Sequence, residues 1–309
     1  MEYAINVLTG TTIMFLLILV GYFMYRTGIL NNDGKAQLSK IMLRLVCPAL
    51  VFMSYQVDYQ PELLSNIAWS FGLSALSIWL TIIITRFVIS PKNQNRAIER
   101  FSIIYTNCGF MGIPLVQGVF GAEGVLYVTT YLAVFSIFGW SHGVMMMREE
   151  KDFSGFLKAI KNPTIIAAIL GLICYLTEIR LPKIPADTLN FVADLNTPVA
   201  MFIAGATIAE SNITKIIKNK SILWNCFLKL LALPVIIMIV FRFLPVPSSM
   251  VYSTVLIATA CPSASLGTML AIEYKKNAVY CAEIFAVSTL LSIITLPVIV
   301  ILSQYLYSI

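Results

Sequence analysis

The feature that most constrains this chain is the length of its uncharged apolar runs. No charged residue lies between Arg100 and Glu123, for example. An α-helix rises about 1.5 Å per residue, so about 20 apolar residues cross the hydrocarbon of a bilayer. Ten stretches qualify: 5–25, 36–56, 63–89, 98–119, 123–147, 162–178, 189–209, 221–243, 250–272 and 277–306, the sixth being the shortest. The chain is 59% hydrophobic and 12% charged, with a mean hydropathy of +0.85, whereas a soluble domain carries roughly a quarter charged residues. The fold class expected is an all-α polytopic membrane protein. The first run has no basic residue before it and no A-x-A-like site after it, so it reads as a retained span rather than a secretory signal.

The net charge of +6 could suggest a nucleic-acid partner, but its placement points to the bilayer. Cytoplasmic loops of membrane proteins gather Lys and Arg. With the N-terminus outside, 18 of the 21 basic residues fall on inner flanks, leaving only Arg180, Lys183 and Arg242 outside. The expectation is a multi-pass protein of the plasma (inner) membrane, with both termini outside.

The sequence also resembles itself. Aligning "LVCPALVF" (45–52) with "LNTPVAMF" (195–202) pairs Pro48 with Pro198, an offset of 150. "TRFVISP" (85–91) and "FRFLPVP" (241–247) align at 156, and "YTNCGFMG" (105–112) and "ATACPSAS" (258–265) at 153. Three similar offsets in one order divide the chain into five-span halves, 1–150 and 151–309. An odd number of spans inserts the halves from opposite sides, which is the inverted repeat common among secondary transporters.

Two runs carry helix-weakening residues near their middles. In "YTNCGFMGIPL" (105–115), Gly109 and Gly112 should loosen the helix and Pro114 should start a new one, beside Asn107 and Cys108. In "ACPSASLG" (260–267), Pro262 should break the helix while Ser263 and Ser265 supply hydroxyls. Open backbone in hydrocarbon costs several kcal/mol per unsatisfied group, so two such breaks should meet inside the protein. The half-helix N-termini at the breaks would then suit an anion, especially a carboxylate. The plainer alternative is a pair of structural kinks, since Gly and Pro are enriched in membrane helices. Polar residues at both repeat-related breaks favour a site.

"YTNCGFMGIPL", "NTPVAMFIAGATIA" (196–209), "ATACPSASLGTMLA" (258–271) and "KNPTIIAAILGL" (161–172) together resemble the auxin efflux carrier family, over essentially the whole chain. That family is similar in fold to bile-acid sodium symporters and sodium/proton antiporters. The resemblance implies ten spans in two inverted repeats, with crossed, broken fourth and ninth spans. It implies a scaffold of spans 1, 2, 6 and 7, and a transport domain of spans 3–5 and 8–10 that moves against it like an elevator. It also implies that Asn107 and the crossover glycines and prolines line the substrate site. Plant members export an indole carboxylate, and bacterial members are assigned to malate, malonate and similar acids. Residues 148–161 replace the long hydrophilic loop of plant members, as in a compact prokaryotic form. A homodimer through the scaffold is the assembly that plant members suggest. The paired acids of sodium/proton antiporters are absent from the fifth span, which argues against cation exchange of that kind.

Several other residues have two readings. Asn196 and Thr197 precede Pro198 and either line the cavity or repair the backbone that the proline frees. Asp194, Lys229 and Glu283 lie within spans, where charges are candidates for coupling or simply snorkel and pair. His142 either gates the carrier or is a hydrogen-bonded structural histidine. "KDFSGFLKAIK" (151–161) has the spacing of an amphipathic helix on the inner surface. The six cysteines form no C-x-x-C pair and read as free, buried residues, and a single histidine excludes a His-rich metal cage. The chain has no G-x-S-x-G, H-E-x-x-H or Walker motif, so an enzyme is not expected and ATP does not drive this chain directly. A secondary transporter of a small organic anion is the reading carried forward, with no cofactor and with H+ or Na+ coupling undetermined. A ligand-binding membrane sensor and a sodium-coupled symporter remain the alternatives.

Overall fold

The computed structural model describes residues 2–149, 163–210 and 219–308. The segment 151–161 read as an amphipathic helix lies outside the described residues. Among the described residues the architecture is helical: α1 (Glu2–Arg26), α2 (Asn32–Ser54), α3 (Pro61–Val88), α4 (Arg96–Ile104), α5 (Cys108–Arg148), α6 (Pro163–Leu176), α7 (Lys183–Asp194), α8 (Asn196–Glu210), α9 (Lys220–Arg242), α10 (Ser249–Ala260), α11 (Leu266–Glu273) and α12 (Ala278–Ser308). Helix α5 turns a corner at Gly121, whose φ of 66° favours a residue without a side chain. Among the described residues, six helical runs are long and apolar enough to cross a membrane: α2, α3, α5, the α7–α8 pair, α9 and Ala278–Ser303. Thr12–Arg26, Pro163–Leu176 and Ser249–Ala260 are apolar but shorter.

The faces of the helices are those of a protein solvated by lipid. Helix α3 buries Ser70, Ser74, Ser77, Thr81 and Thr85 and exposes Phe71, Trp79 and Phe87. Water would favour the opposite arrangement, but lipid gains nothing from hiding aromatic rings, and hydroxyls need partners inside. They find them: the Ser70 hydroxyl donates to the Tyr127 carbonyl at 2.9 Å, and the Ser74 hydroxyl to the Ser70 carbonyl at 2.6 Å.

Three prolines within helices share one device. Pro48, Pro114 and Pro234 each follow a wide, π-type turn. In each, the residue just before the proline donates its N–H five residues back: Cys47 to Met42, Ile113 to Cys108, and Leu233 to Leu228. A proline removes one donor and crowds the carbonyl four residues earlier. Widening the turn moves that carbonyl aside, and the helix continues. This corrects the reading of the first break. Gly109 and Gly112 lie within a widened but continuous helix (Cys108–Gly112), and Pro114 continues it rather than starting a new one. The true interruption is at 105–107, just upstream.

Helices α1 and α8 approach each other to backbone contact. A β-carbon on Gly21 would lie 2.5 Å from the Phe202 backbone, and one on Gly205 would overlap the Ile18 carbonyl oxygen. Nothing larger than glycine fits at either position. At the Arg26 end of α1 the neighbouring elements are also tied by the Lys35–Glu210 ion pair. The six cysteines are free, and all but the half-buried Cys174 are buried.

Candidate functional site

The two interruptions pair with each other. The Asn107 N–H donates to the Pro262 carbonyl at 2.7 Å, and the Ala264 N–H to the Tyr105 carbonyl at 2.9 Å. Thr106 and Ser263 thus form an isolated antiparallel bridge. Each broken segment supplies the partners that the other lacks, which is how unravelled backbone survives in a dry interior. Ser263 adds two more ties. Its hydroxyl donates to the Ser102 carbonyl at 2.8 Å, and its N–H donates to the Ser288 hydroxyl oxygen at 3.2 Å.

Downstream of the bridge, two helices begin. In α5, no side chain caps the first turn, and Met111 is the first residue whose N–H bonds back to the Asn107 carbonyl, at 3.0 Å. In α11, Gly267 and Thr268 bond back to Ala264 and Ser265. The start of each helix carries the partial positive charge of its first-turn N–H groups.

Both starts face one cavity of about 420 Å³. Thr106, Asn107, Gly109 and Ser265 form its polar end. Phe110, Leu132, Phe135 and Trp140 give it an apolar wall, and Lys40 and Arg44 stand on its rim. Cys47 of α2 and Pro163 and Thr164 of α6 close the side opposite the crossing. Asn107 is 6% exposed, and its Nδ2 has no partner. A buried amide nitrogen left open beside a cavity is costly unless something else occupies it.

Among the residues expected at the site, Asn107, Gly109 and Ser265 line the cavity. Cys108, Gly112, Pro114, Pro262 and Ser263 are buried within the crossing itself. Gly112 sits against the Cys261 Sγ, where a β-carbon would lie 3.2 Å from the sulfur. Asn196 is fully buried off the cavity, its Oδ1 accepting from the Cys47 Sγ at 3.7 Å, and the half-buried Thr197 is beside it. Asp194 is exposed and Glu283 half-buried, and neither lines the cavity. His142 is fixed by the Tyr105 hydroxyl, 2.9 Å from its Nδ1, and the same hydroxyl donates to the Phe138 carbonyl at 2.9 Å.

Sequence reasoning missed Leu132, Phe135 and Trp140 of the apolar wall, which sit in an unremarkable apolar stretch, and the position of Lys40 and Arg44 at the cavity rim. It left Lys229 between a coupling role and snorkelling or pairing. This residue is 2% exposed and does not snorkel: its Nζ donates to the Ile103 carbonyl at 3.0 Å and the Thr259 carbonyl at 3.4 Å. Among the described residues, no group of His, Cys, Asp and Glu is arranged to hold a metal ion.

Known proteins with this sequence pattern are transporters. The profile of the family described as "Membrane transport protein" matches residues 7–154 and 152–300. The uncharacterized transporter YfdV of Escherichia coli is 24% identical over 300 residues, covering 91% of this chain and 92% of its own length. An uncharacterized transporter of Methanothermobacter thermautotrophicus is 24% identical over 291 residues, covering 91% and 93%. The apolar helical runs, the paired interruptions and these matches agree: the chain is a membrane transport protein rather than an enzyme, and it belongs to the auxin efflux carrier-like membrane transport protein family.

Proposed function

We propose that this protein is a secondary transporter of a small organic anion, a carboxylate with an apolar body. The observation that carries this reading is the open Nδ2 of Asn107 at the polar end of the cavity, beside the starts of two helices. A carboxylate there accepts from the amide and from first-turn N–H groups, while Phe110, Phe135 and Trp140 take up its carbon skeleton. Ser265 adds a hydroxyl. Cys108, Gly112, Pro114, Pro262 and Ser263 hold the crossing in shape rather than touch the substrate.

In this reading the chain makes ten crossings in two inverted repeats, with both ends outside the inner membrane. The broken runs are then the fourth and ninth. The rim residues Lys40 and Arg44 fall on the inner side, so the cavity opens inward in this conformation. Residues of α2 and α6 form the wall against which the crossing slides. Alternating access follows if the crossing, with α3, α9 and α12, moves as one body past that wall. Proton or sodium gradients are the available energy sources.

The test is uptake into proteoliposomes together with a thermal-shift screen of mono- and dicarboxylates. A carboxylate that binds the folded protein raises its melting temperature by mass action. Flux of that ligand down its gradient is expected from a transporter. Binding without flux would make the protein a receptor on the same fold.

A further inference from the structure

The Lys229 ammonium occupies a position that the crossing itself creates. Ile103 is in the last turn of α4 and Thr259 in the last turn of α10. Each of these helices stops at the crossing, and each ends with about half a negative charge on its free carbonyls. Two such ends sum to about one negative charge, the complement of a single monovalent cation. The carbonyl oxygens of Ile103 and Thr259 both receive the one Nζ, deep inside the protein. No carboxylate among the described residues pairs with Lys229. Its charge is balanced by main chain alone. Converging carbonyls of this kind are also the ligands that Na+ and K+ prefer.

We propose that Lys229 is the resident counter-cation of the crossing, filling the carbonyl site that a coupling ion would otherwise need. The carrier then binds no metal cation there, and sodium does not drive it through these carbonyls. Lys229 lies on α9, within the body proposed to move, so its ammonium rides with the substrate site. The inference rests on the crossed-helix reading of the site, but its readouts require no organic anion, so a wrong substrate assignment would leave them standing.

The experiment compares the full-length purified protein with Lys229→Ala, Lys229→Met and Lys229→Arg in sodium, potassium and choline chloride at equal ionic strength. The wild type should melt at the same temperature in all three salts, and Lys229→Arg should behave alike. Lys229→Ala should melt lower in choline and recover most of the loss as sodium or potassium is titrated, with saturation. Lys229→Met fills the space with an apolar chain, so it should melt lower without recovery. Cation-specific stabilisation of the wild type would overturn the proposal. So would equal cation rescue of the Ala and Met variants, or a folded Ala variant with no cation response. If the Ala variant does not fold, the wild-type salt comparison decides alone.

Discussion

The two interrupted segments at the crossing pair with each other, yet they use their polar groups differently. At the second, Ser263 engages both its hydroxyl and its N–H, with Ser102 and Ser288. At the first, Asn107 uses its main chain to hold the bridge and leaves its Nδ2 open beside the cavity. One segment is a brace and the other a brace with a spare donor. A pair of equivalent breaks therefore need not supply two equivalent contacts to a substrate. Polar groups not required to repair the backbone are the ones available for a ligand.

Separating stability from transport would break or sharpen this contrast. The largest effect is expected from Asn107→Ala. A hydrogen bond to a charged group contributes about 1.5–3 kcal/mol, so uptake should fall about 10- to 100-fold. Because the amide nitrogen has no protein partner, the melting temperature should barely move. A large drop in melting temperature with uptake per folded molecule intact would reverse the assignment.

Ser263→Ala should show the opposite pattern. It orphans the buried Ser102 carbonyl at a cost of about 1–3 kcal/mol, read as a lower melting temperature in detergent. Uptake per folded molecule should change much less than in Asn107→Ala. Arg44→Gln, on the exposed rim, should weaken apparent affinity for an anion about two- to five-fold at low salt, and less at high salt. An unchanged affinity at low salt would remove the rim from the binding path.

The smallest effect concerns the link between the halves at the chain's basic face. Glu149 accepts from the Lys276 Nζ at 2.8 Å, and hydrogen bonding to that ammonium holds its carboxyl below the usual range. Arg96 lies 4.0 Å away on the other side. A depressed folded-state value means that the contribution is present at neutral pH and is lost as pH falls through that value. The pair is half-exposed and screened, so Glu149→Gln should lower the melting temperature only slightly at pH 7 and not at all in strong acid. A large effect at neutral pH would mean that the link matters more than either segment's internal repairs.

Much of this was legible in the sequence because it follows from length and breaker chemistry. Pro262 marks the second interruption, since proline removes a donor where no wide turn rescues it. The first was read a few residues too late. Its visible breakers, Gly109, Gly112 and Pro114, are absorbed by the widened turn, whereas Tyr105–Asn107 carries no breaker at all. That stretch is held out of the helix because Pro262 and Ala264, more than 150 residues away, pair with it. Local sequence cannot register such a cause. Asp194 and Glu283 attracted notice as charges within apolar runs, yet the helical faces they occupy lie away from the cavity. Lys229 satisfied the same rule, and only the three-dimensional position of two carbonyls distinguishes it from them.

The backbone contact between α1 and α8 has its own consequence. With Gly21 and Gly205 flush against the opposite chain, there are no interlocking side chains that could re-register one step along. These two helices are effectively welded and must travel together or stay still together. Sliding has to occur at a looser seam, and the cavity, which parts Arg44 and Cys47 of α2 from Phe110 of α5, marks one.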